Sequence, residues 1–256
     1  RILDSAESLF ARHGFAGGPA PYLLATAAVG LLPWTFQCQR GRLAEARCAL
    51  AGRTQSRLFA ELALAGGVRA DSAGRELERW LSADRSHVAF GLPWWSEHGD
   101  TFSIARSLRD ARTLLRGPRG SSTWNRAAYD SAAALAYLSL QRHDENTLER
   151  FLRLPDTLCL GCFDIDRLKT AQLLESAGRL REARHIAEEW RGPSVVPSDV
   201  LLVFELGGVT EQLGDREASV AAYRVVIESW SGADDVLQPV VSEAREAIRR
   251  LTGDVA

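Results

Sequence analysis

The chain has 256 residues, of which 46% are hydrophobic and 25% charged, and its formal net charge is −2. This balance is typical of a soluble globular protein and excludes a mainly disordered chain. Because the charge is close to neutral, the chain as a whole has no general electrostatic attraction to nucleic acid or to an anionic membrane.

The N-terminal segment predicts a short helix followed by a Gly/Pro linker over residues 1–19. Its sequence, RILDSAESLFARHGF, resembles the first helix of TetR-type repressors, but a proline-rich apolar stretch then replaces their helix-turn-helix. An amphipathic helix that buries Ile2, Ala6, Leu9 and Phe10 explains the segment without a nucleic-acid partner. Since the chain opens on Arg1 and contains no methionine, we expect it to be a piece of a longer protein.

An uncharged stretch covers residues 14–39, and residues 21–36 are strongly apolar. A membrane-spanning helix needs roughly 20 continuous apolar residues. Pro19 and Pro21 interrupt the stretch at one end, and Gly30 and Pro33 interrupt it at the other. We therefore predict a buried repeat helix here, and no membrane association.

The C-terminal half contains an internal repeat. Residues 171–190 read AQLLESAGRLREARHIAEEW and residues 207–226 read GGVTEQLGDREASVAAYRVV. Superposing Gly178 on Gly214 gives a spacing of 36 residues, close to the roughly 34 of tetratricopeptide repeats. A glycine suits the left-handed residue that ends a helix, and Asp215 can then cap the next helix. Each segment predicts two helices joined at a glycine hinge.

Weaker hinges of the same kind are predicted at Gly41, Gly99 and His143. The intervals from Gly99 to His143 and from His143 to Gly178 are 44 and 35 residues. The interval from Gly41 to Gly99, however, is 58 residues, which is too long for one unit. It predicts either an additional helix pair or an irregular unit.

A terminal capping helix is predicted over residues 236–252. Its apolar residues fall at helical spacing on one face, and its charged residues occupy the other. Glu246 and Arg250 are spaced for a favourable i,i+4 pair on the charged face. Stacked repeats need a terminal helix with a polar outer face to stay in solution.

These residues resemble the tetratricopeptide repeat family. Residues at the family's positions in the last unit are Leu206, Gly207, Leu213, Gly214 and Tyr223, with Ser219 in place of the usual alanine. Those in the preceding unit are Ala171, Gly178 and Ala183, with Ala187 in place of the aromatic residue. The resemblance implies an all-α fold, a right-handed superhelical stack of helix-turn-helix repeats over residues 20–256. The clearest repeats cover residues 163–233.

A narrower resemblance concerns residues 94–106, residues 154–162 and the C-terminal GADDVLQPVVSEAREAIRRL. They look like the C-terminal repeat regions that follow bacterial serine/threonine kinase or transcriptional-activator domains. This resemblance implies a sensory or regulatory role in a longer signalling protein. Kinase motifs are not present in the sequence, so it implies no kinase activity for this chain.

The sharpest motif for chemistry is the pair Cys159 and Cys162. Two thiolates at this spacing can bind a metal or form a redox disulfide. A closed zinc site, however, needs four ligands, and no second pair has matching spacing.

His185 and Glu189 are predicted to form a surface pair. Lys169 is the single lysine, so a Schiff base or a lysine that anchors a phosphate could involve this residue alone. We predict a cytoplasmic protein that is not an enzyme and carries no cofactor.

The leading functional hypothesis is a non-catalytic scaffold that binds a peptide or partner domain in the groove of the array. The tryptophans are interpreted as packing residues of the core. The alternatives are the regulatory region of a signalling protein and a metal or redox site at the cysteine pair. By register with the groove positions of the family, the predicted partner-binding residues are Tyr137, Gln141, Gln172, Glu175, Glu211 and Gln212.

Overall fold

The structure, a computed structural model, describes residues 41, 43, 56–83, 85–155, 163–189 and 196–253. Across these residues the chain is all-helical, as predicted. The α-helices are α1 (Ser56–Leu64), α2 (Ala70–Ala83), α3 (Leu92–Glu97), α4 (Thr101–Leu114), α5 (Ser122–Gln141), α6 (Thr147–Leu152), α7 (Phe163–Ser176), α8 (Leu180–Glu188), α9 (Pro197–Gln212), α10 (Arg216–Trp230) and α11 (Gln238–Thr252). Two 3-10 segments, Arg85–Gly91 and Asp235–Leu237, precede α3 and α11.

The helices are arranged as consecutive hairpins. The five predicted hinges all have positive φ angles, which are 68° at Gly41, 68° at Gly99, 51° at His143, 71° at Gly178 and 78° at Gly214. Four of them join α3 to α4, α5 to α6, α7 to α8 and α9 to α10. The long interval after Gly41 contains the additional helix pair, α1 and α2, with its own left-handed glycine at Gly66.

Hydrogen bonds explain why the hinges lie where the sequence places them. Beyond α7, the N–H of Gly178 donates to the carbonyl of Glu175 at 2.8 Å, and the N–H of Arg179 donates to that of Leu174 at 2.9 Å. Asp215 then caps α10 by accepting the N–H of Ala218 at 3.1 Å, as the sequence indicated. Asp100 caps α4 in the same way. Each hinge thereby satisfies backbone groups that a helix end otherwise leaves without partners.

Close helix packing within the last hairpin depends on a small residue. A Cβ atom on Gly207 would lie 2.7 Å from Cε1 of Tyr223, so the ring lies directly against the backbone of α9. The Ser219 hydroxyl donates to the Gly207 carbonyl at 2.9 Å.

Three tryptophans are core residues, as predicted. Trp95 and Trp230 are among the largest fully buried side chains, and Trp94 is also buried.

The capping helix is α11, and its buried face carries Val241, Ala244 and Ala247. Its charged face points outward as predicted, but Arg250 bonds to Glu211 of α9 at 3.1 Å rather than to Glu246. The predicted i,i+4 pair is therefore wrong. Glu211 is the better partner because its half-buried carboxylate is held in place by the Tyr223 hydroxyl, which donates to it at 3.1 Å.

The first and last described parts of the chain contact each other, which the sequence did not indicate. The N–H of Asp234 donates to the carbonyl of Gly41 at 2.9 Å. A Cβ atom on Gly66 would lie 2.7 Å from a methyl carbon of Val236, so the α1–α2 hinge lies against the segment before α11. Helix α1 also packs on α9. The described hairpins therefore form a row whose ends meet.

Three sequence predictions fall outside the described residues: the N-terminal helix over residues 1–19, the apolar stretch over residues 14–39, and the pair Cys159 and Cys162. As for membrane association, none of the described helices combines the length and apolar character that a membrane crossing requires.

Candidate functional site

Polar and ionisable side chains of α5, α7 and α9, the first helices of three successive hairpins, interact with one another and with Glu97 at the end of α3. We call the side of the helices that carries these side chains the inner face; it is buried around Asp130, Tyr137 and Asp166 and half-buried around Glu175 and Glu205. Its acidic members form a set that we call the carboxyl row, which comprises Glu97, Asp130, Asp166, Glu175 and Glu205.

Asp166 joins α7 to α5. The Tyr137 hydroxyl donates to Asp166 Oδ1 at 2.6 Å, and the Tyr129 hydroxyl donates to Oδ2. Both tyrosines are fully buried. Burial raises the pKa of Tyr137 well above its ordinary value, and the negative charge of Asp166 raises it further. The Tyr137 hydroxyl therefore remains a protonated donor, and Asp166 is held as a buried, hydrogen-bonded acceptor.

Asp130 lies one turn after Arg126 on α5, close to Asp166. Its exposed fraction is only 2%, yet Oδ1 is buried with no hydrogen-bond partner among the described residues. Burial raises the pKa of Asp130 to about 7; the positive charge of Arg126 opposes this increase and the negative charge of Asp166 adds to it. A buried acceptor without a hydrogen bond lowers the stability of the fold unless a donor reaches it.

Glu175 of α7 and Glu205 of α9 form a carboxyl pair. Burial raises the pKa of Glu205, a hydrogen bond to Glu175 and the negative charge of Glu175 raise it further, and the positive charge of Lys169 opposes the shift. The Gln212 side chain donates to Glu175. Glu205 Oε1 is nevertheless buried without a hydrogen-bond partner among the described residues. The repulsion between two adjacent carboxyl groups is thus one cause of the raised pKa of Glu205.

Lys169 of α7 influences two members of the carboxyl row. Its positive charge acts on Glu205 and also on Glu97, whose pKa is raised by burial and lowered by Lys169 and His98. The ammonium group of Lys169 on α7 thus acts on carboxyl groups of two other helices, α3 and α9.

The predicted partner-binding residues occupy different environments. Glu175 and Gln212 come together on the inner face, and Gln172 is half-buried on the same helix as Glu175. Tyr137 has no exposed surface and serves instead as an internal bridge to Asp166. This corrects its predicted place in an open groove, because adjacent helices pack too closely at this position to leave the ring accessible.

Two other predicted residues hold helices together. The Gln141 amide donates to the carbonyl of Ser96 at 2.7 Å and to its hydroxyl at 2.9 Å, which joins α5 to α3. Glu211 accepts hydrogen bonds from Tyr223 and Arg250, on the side of α9 that faces the last two helices. Each of these side chains uses its hydrogen-bonding groups inside the protein.

Sequence reasoning missed most of the carboxyl row. The available signal was an isolated acid within an apolar run: Asp130 stands in AAYDSAAALAY and Glu205 in VLLVFELGGV. A lone acid in such a run is rarely buried without a partner or a role. The partners themselves lie on other hairpins and could not be identified from spacing.

Other candidate chemistry is limited in the described part of the chain. His185 Nε2 lies 3.0 Å from Glu189 Oε1 on the exposed side of α8, which confirms the predicted surface pair. No cluster of three or more histidine, cysteine, aspartate or glutamate side chains suited to a metal ion occurs among the described residues.

Comparison with known proteins does not assign a function to this site. No protein-family model matches the chain, and searches of curated proteins and of solved structures also found no match.

Proposed function

We propose that this chain is a helical-repeat scaffold of the tetratricopeptide type that binds a peptide segment of a partner protein along its inner face. The hairpins support this proposal. Their left-handed hinges at Gly66, Gly99, His143, Gly178 and Gly214 recur at intervals of 33 to 44 residues. A right-handed superhelical stack is part of the proposal, since such stacks present their first helices along one continuous surface.

The observation that carries the proposal is the pair of buried acceptors without donors, Asp130 Oδ1 and Glu205 Oε1. A buried polar group left without its hydrogen bond costs about 1–3 kcal/mol. The two acceptors lie on α5 and α9. A peptide that supplies donors to them would recover this energy.

Gly208 offers room for a peptide beside the Glu175–Glu205 pair. Among the described residues, a Cβ atom there would meet the Tyr223 hydroxyl at 3.8 Å and Glu175 Oε1 at 3.9 Å. Both are ordinary contact distances, in contrast to the close contact at Gly207. A glycine on this surface of α9 allows another backbone to approach closely.

Selection from a library of short random peptides, followed by calorimetry on the enriched peptides, tests this function. We expect Gly208→Trp to weaken binding by roughly tenfold or more, about 1.4 kcal/mol, because the indole ring occupies the inner face. The matched control is Gly232→Trp, at an exposed turn with no neighbouring atom within 4 Å. Far-ultraviolet circular dichroism verifies that both variants remain folded.

Two results would contradict the function. One is a library that yields no peptide binding above background. The other is a set of peptides whose affinity falls with Gly232→Trp and not with Gly208→Trp. A further pair of uncharged substitutions, Gln172→Ala and Gln212→Ala, separates loss of specific contacts from steric blocking and leaves the charge of the inner face unchanged.

A further inference from the structure

Residues 101–126 form a strongly basic segment in a chain whose net charge is slightly negative. The segment comprises α4, the turn after it and the start of α5, and it contains six arginines and one acidic residue, Asp110. The remaining residues are therefore net acidic, and the formal charge of −2 for the whole chain conceals this separation. A local concentration of positive charge attracts anionic partners even when the molecule is close to neutral.

Helix α4 has a buried side and an exposed basic side. Its buried residues recur at helical spacing and are Ser103, Ile104, Ser107, Leu108 and Ala111. The opposite side carries Phe102, Arg106, Arg109 and Arg112, and the turn to α5 adds Arg116 and Arg119. We call these last six residues the arginine face. All of them are exposed except Arg106, which is half-buried, so the surface is accessible to a large partner.

The five arginines of this face lack acidic partners. None of them forms an ion pair or a side-chain hydrogen bond with another residue in the described ranges. Arginines of the α7–α8 hairpin do pair, as Arg179 does with Glu182 at 2.6 Å and Arg184 with Asp215 at 2.9 Å. The guanidinium donors of the arginine face therefore point to a partner outside the described part of the chain.

The acidic groups near α4 do not neutralise this face. Of the elements that pack most closely on α4, the helices α3 and α5 carry acidic residues. Asp100 caps the start of α4, Asp130 of α5 is buried, and Lys169 acts on Glu97 of α3. Asp110 is half-buried on α4 itself and contributes one negative charge against five positive ones. The arginine face therefore keeps a net positive charge.

A row of unpaired guanidinium groups suits a partner that carries a row of negative charges. Successive arginines of this face are three or four residues apart, which corresponds to about 4.5–6 Å along the axis where the chain is helical. Guanidinium groups bind phosphate through two parallel N–H donors. Phosphate and sugar oxygens receive at least about half of the hydrogen bonds that proteins make to DNA. The face therefore fits the phosphate backbone of a nucleic acid.

Phe102 favours a single strand over a duplex. It lies one helical turn before Arg106, and 70% of its surface is exposed, the largest fraction of any large hydrophobic residue in the described ranges. Unpaired bases stack on aromatic rings that lie beside a basic surface, whatever the base sequence. The bases of a duplex already stack on one another, so the ring offers a duplex less.

An anionic membrane fits the arginine face less well. Helices that lie in a membrane interface insert a broad apolar side at the boundary between headgroups and acyl chains. The apolar residues Ile104 and Leu108 of α4 are instead buried in the protein, and the arginine face offers Phe102 alone.

We infer that the arginine face binds single-stranded nucleic acid without sequence preference, with its arginines on successive phosphates and Phe102 stacked on a base. This inference goes beyond the proposed peptide binding, because the arginine face and the inner face share no residue. Each of the two activities can therefore be present without the other.

Fluorescence anisotropy on the full chain tests the inference. The probe is a fluorescein-labelled oligothymidylate of about 20 nucleotides, longer than the footprint of a small single-strand-binding domain. An oligouridylate and a DNA duplex of the same length are the comparison probes. We expect both single strands to bind at least about threefold more tightly than the duplex. The logarithm of the association constant should fall with the logarithm of salt concentration with a slope of about −3, since several phosphates are neutralised.

Substitutions in the arginine face locate the site. Arg109→Gln with Arg112→Gln should lower the affinity for oligothymidylate by about tenfold and reduce the salt slope by about 1.4, because two phosphate contacts are lost. Phe102→Ala should weaken single-strand binding by about fivefold and leave both the salt slope and the duplex affinity unchanged, since it removes stacking but no charge. Loss of structure alone would not separate these two effects.

The matched control removes two arginines from α11, by Arg245→Gln with Arg249→Gln, both at exposed positions. It changes the net charge by the same amount as the double variant of the arginine face. Its affinity for oligothymidylate should stay within about twofold of the unmodified chain, because exposed charges at a distance are screened. Thermal melts of every variant confirm that the fold is retained.

Four results would overturn the inference. The first is no binding of either single strand at low salt, and the second is an equal loss of affinity in the α11 control. The third is tighter binding of a labelled polyglutamate peptide, which would replace nucleic acid by an acidic protein. The fourth is tighter binding to phosphatidylserine vesicles, which would replace it by a membrane. None of these results bears on peptide binding at the inner face.

Discussion

The carboxylate of Glu61 in α1 accepts two hydrogen bonds from Ser198 in the first turn of α9, from the backbone N–H at 3.2 Å and from the hydroxyl at 2.8 Å. Glu61 is 1% exposed and Ser198 is 3% exposed. The contact satisfies one of the N–H groups that a helix start leaves unpaired, and it places a negative charge at the positive end of the helix dipole. It therefore stabilises the meeting of the first and last hairpins.

Replacing Glu61 should destabilise the protein as a whole. We expect Glu61→Ala to lower the free energy of unfolding by about 2–4 kcal/mol, because it removes charge-assisted hydrogen bonds and leaves buried donors unpaired. Ser198→Ala should cost about 1 kcal/mol. Urea denaturation of the two variants and their combination should give a coupling energy of about 1 kcal/mol or more. Strictly additive losses would show that the pair does not connect the hairpins.

The adjacent glycines of α9 should respond in opposite directions to the same substitution. Gly207→Ala forces a methyl group to within 2.7 Å of the Tyr223 ring and should destabilise the protein by about 1–3 kcal/mol. At Gly208 the nearest atoms are 3.8 Å away, so Gly208→Ala should be neutral or stabilising by up to about 1 kcal/mol through helix propensity. Thermal unfolding of both variants measures the contrast. Equal effects would mean that Tyr223 does not pack on the α9 backbone.

Replacing His143 with glycine should stabilise the protein at this hinge. Its φ angle of 51° is the one positive value at a non-glycine residue in the described part of the chain. We expect His143→Gly to raise the free energy of unfolding by roughly 0.5–1 kcal/mol, since glycine adopts this conformation without a Cβ penalty. The reciprocal change, Gly178→Ala at φ 71° with no atom within 4 Å, should lower it by about 1–2 kcal/mol through backbone strain alone. Chemical denaturation of both variants checks the sign of each change.

Stability should fall as pH rises from about 4 to 7. The pKa of Asp130 is raised by burial from 3.8 to about 7, so between these two pH values the folded state holds a proton that the unfolded state releases. The stabilisation is therefore complete below the unfolded pKa and is lost as pH rises through the folded pKa. Glu205, facing Glu175 and Lys169, is shifted in the same direction.

Asp130→Asn tests this pH dependence, because an amide cannot titrate. The variant should lose less stability than the unmodified chain between about pH 4 and 7, by about 1.4 kcal/mol for each unit of pKa difference that is removed. Partly exposed acids whose pKa is lowered by hydrogen bonds from backbone N–H groups, such as Asp215 and Asp144, act in the opposite direction, but at lower pH. Identical pH profiles for the two proteins would show that Asp130 is not the titrating group.

Local features of this protein were predictable because they depend on neighbouring residues. A buried helix face needs apolar residues at the helical period of about 3.6, and a helix end needs a residue that tolerates positive φ. The hinges from Gly41 to Gly214 could therefore be predicted directly from the spacing of these residues. His143 was predicted in the same register although it is not a glycine. The apolar face of α11 followed from period alone, whereas the ion pair of Arg250 did not, because its partner lies on another helix.

The amino-acid sequence by itself therefore determined the all-helical class, the order of the hairpins and the turns between them. Only the tertiary structure decided which side chains meet across hairpins, such as Tyr137 with Asp166 and Glu61 with Ser198, the latter 137 residues apart. The physical reason is that such contacts depend on how closely and at what angle successive hairpins pack. That geometry arises from the combined packing of many side chains, as at Gly207, and leaves no periodic trace in the sequence. For the same reason, the inner face and its carboxyl row became visible only in three dimensions.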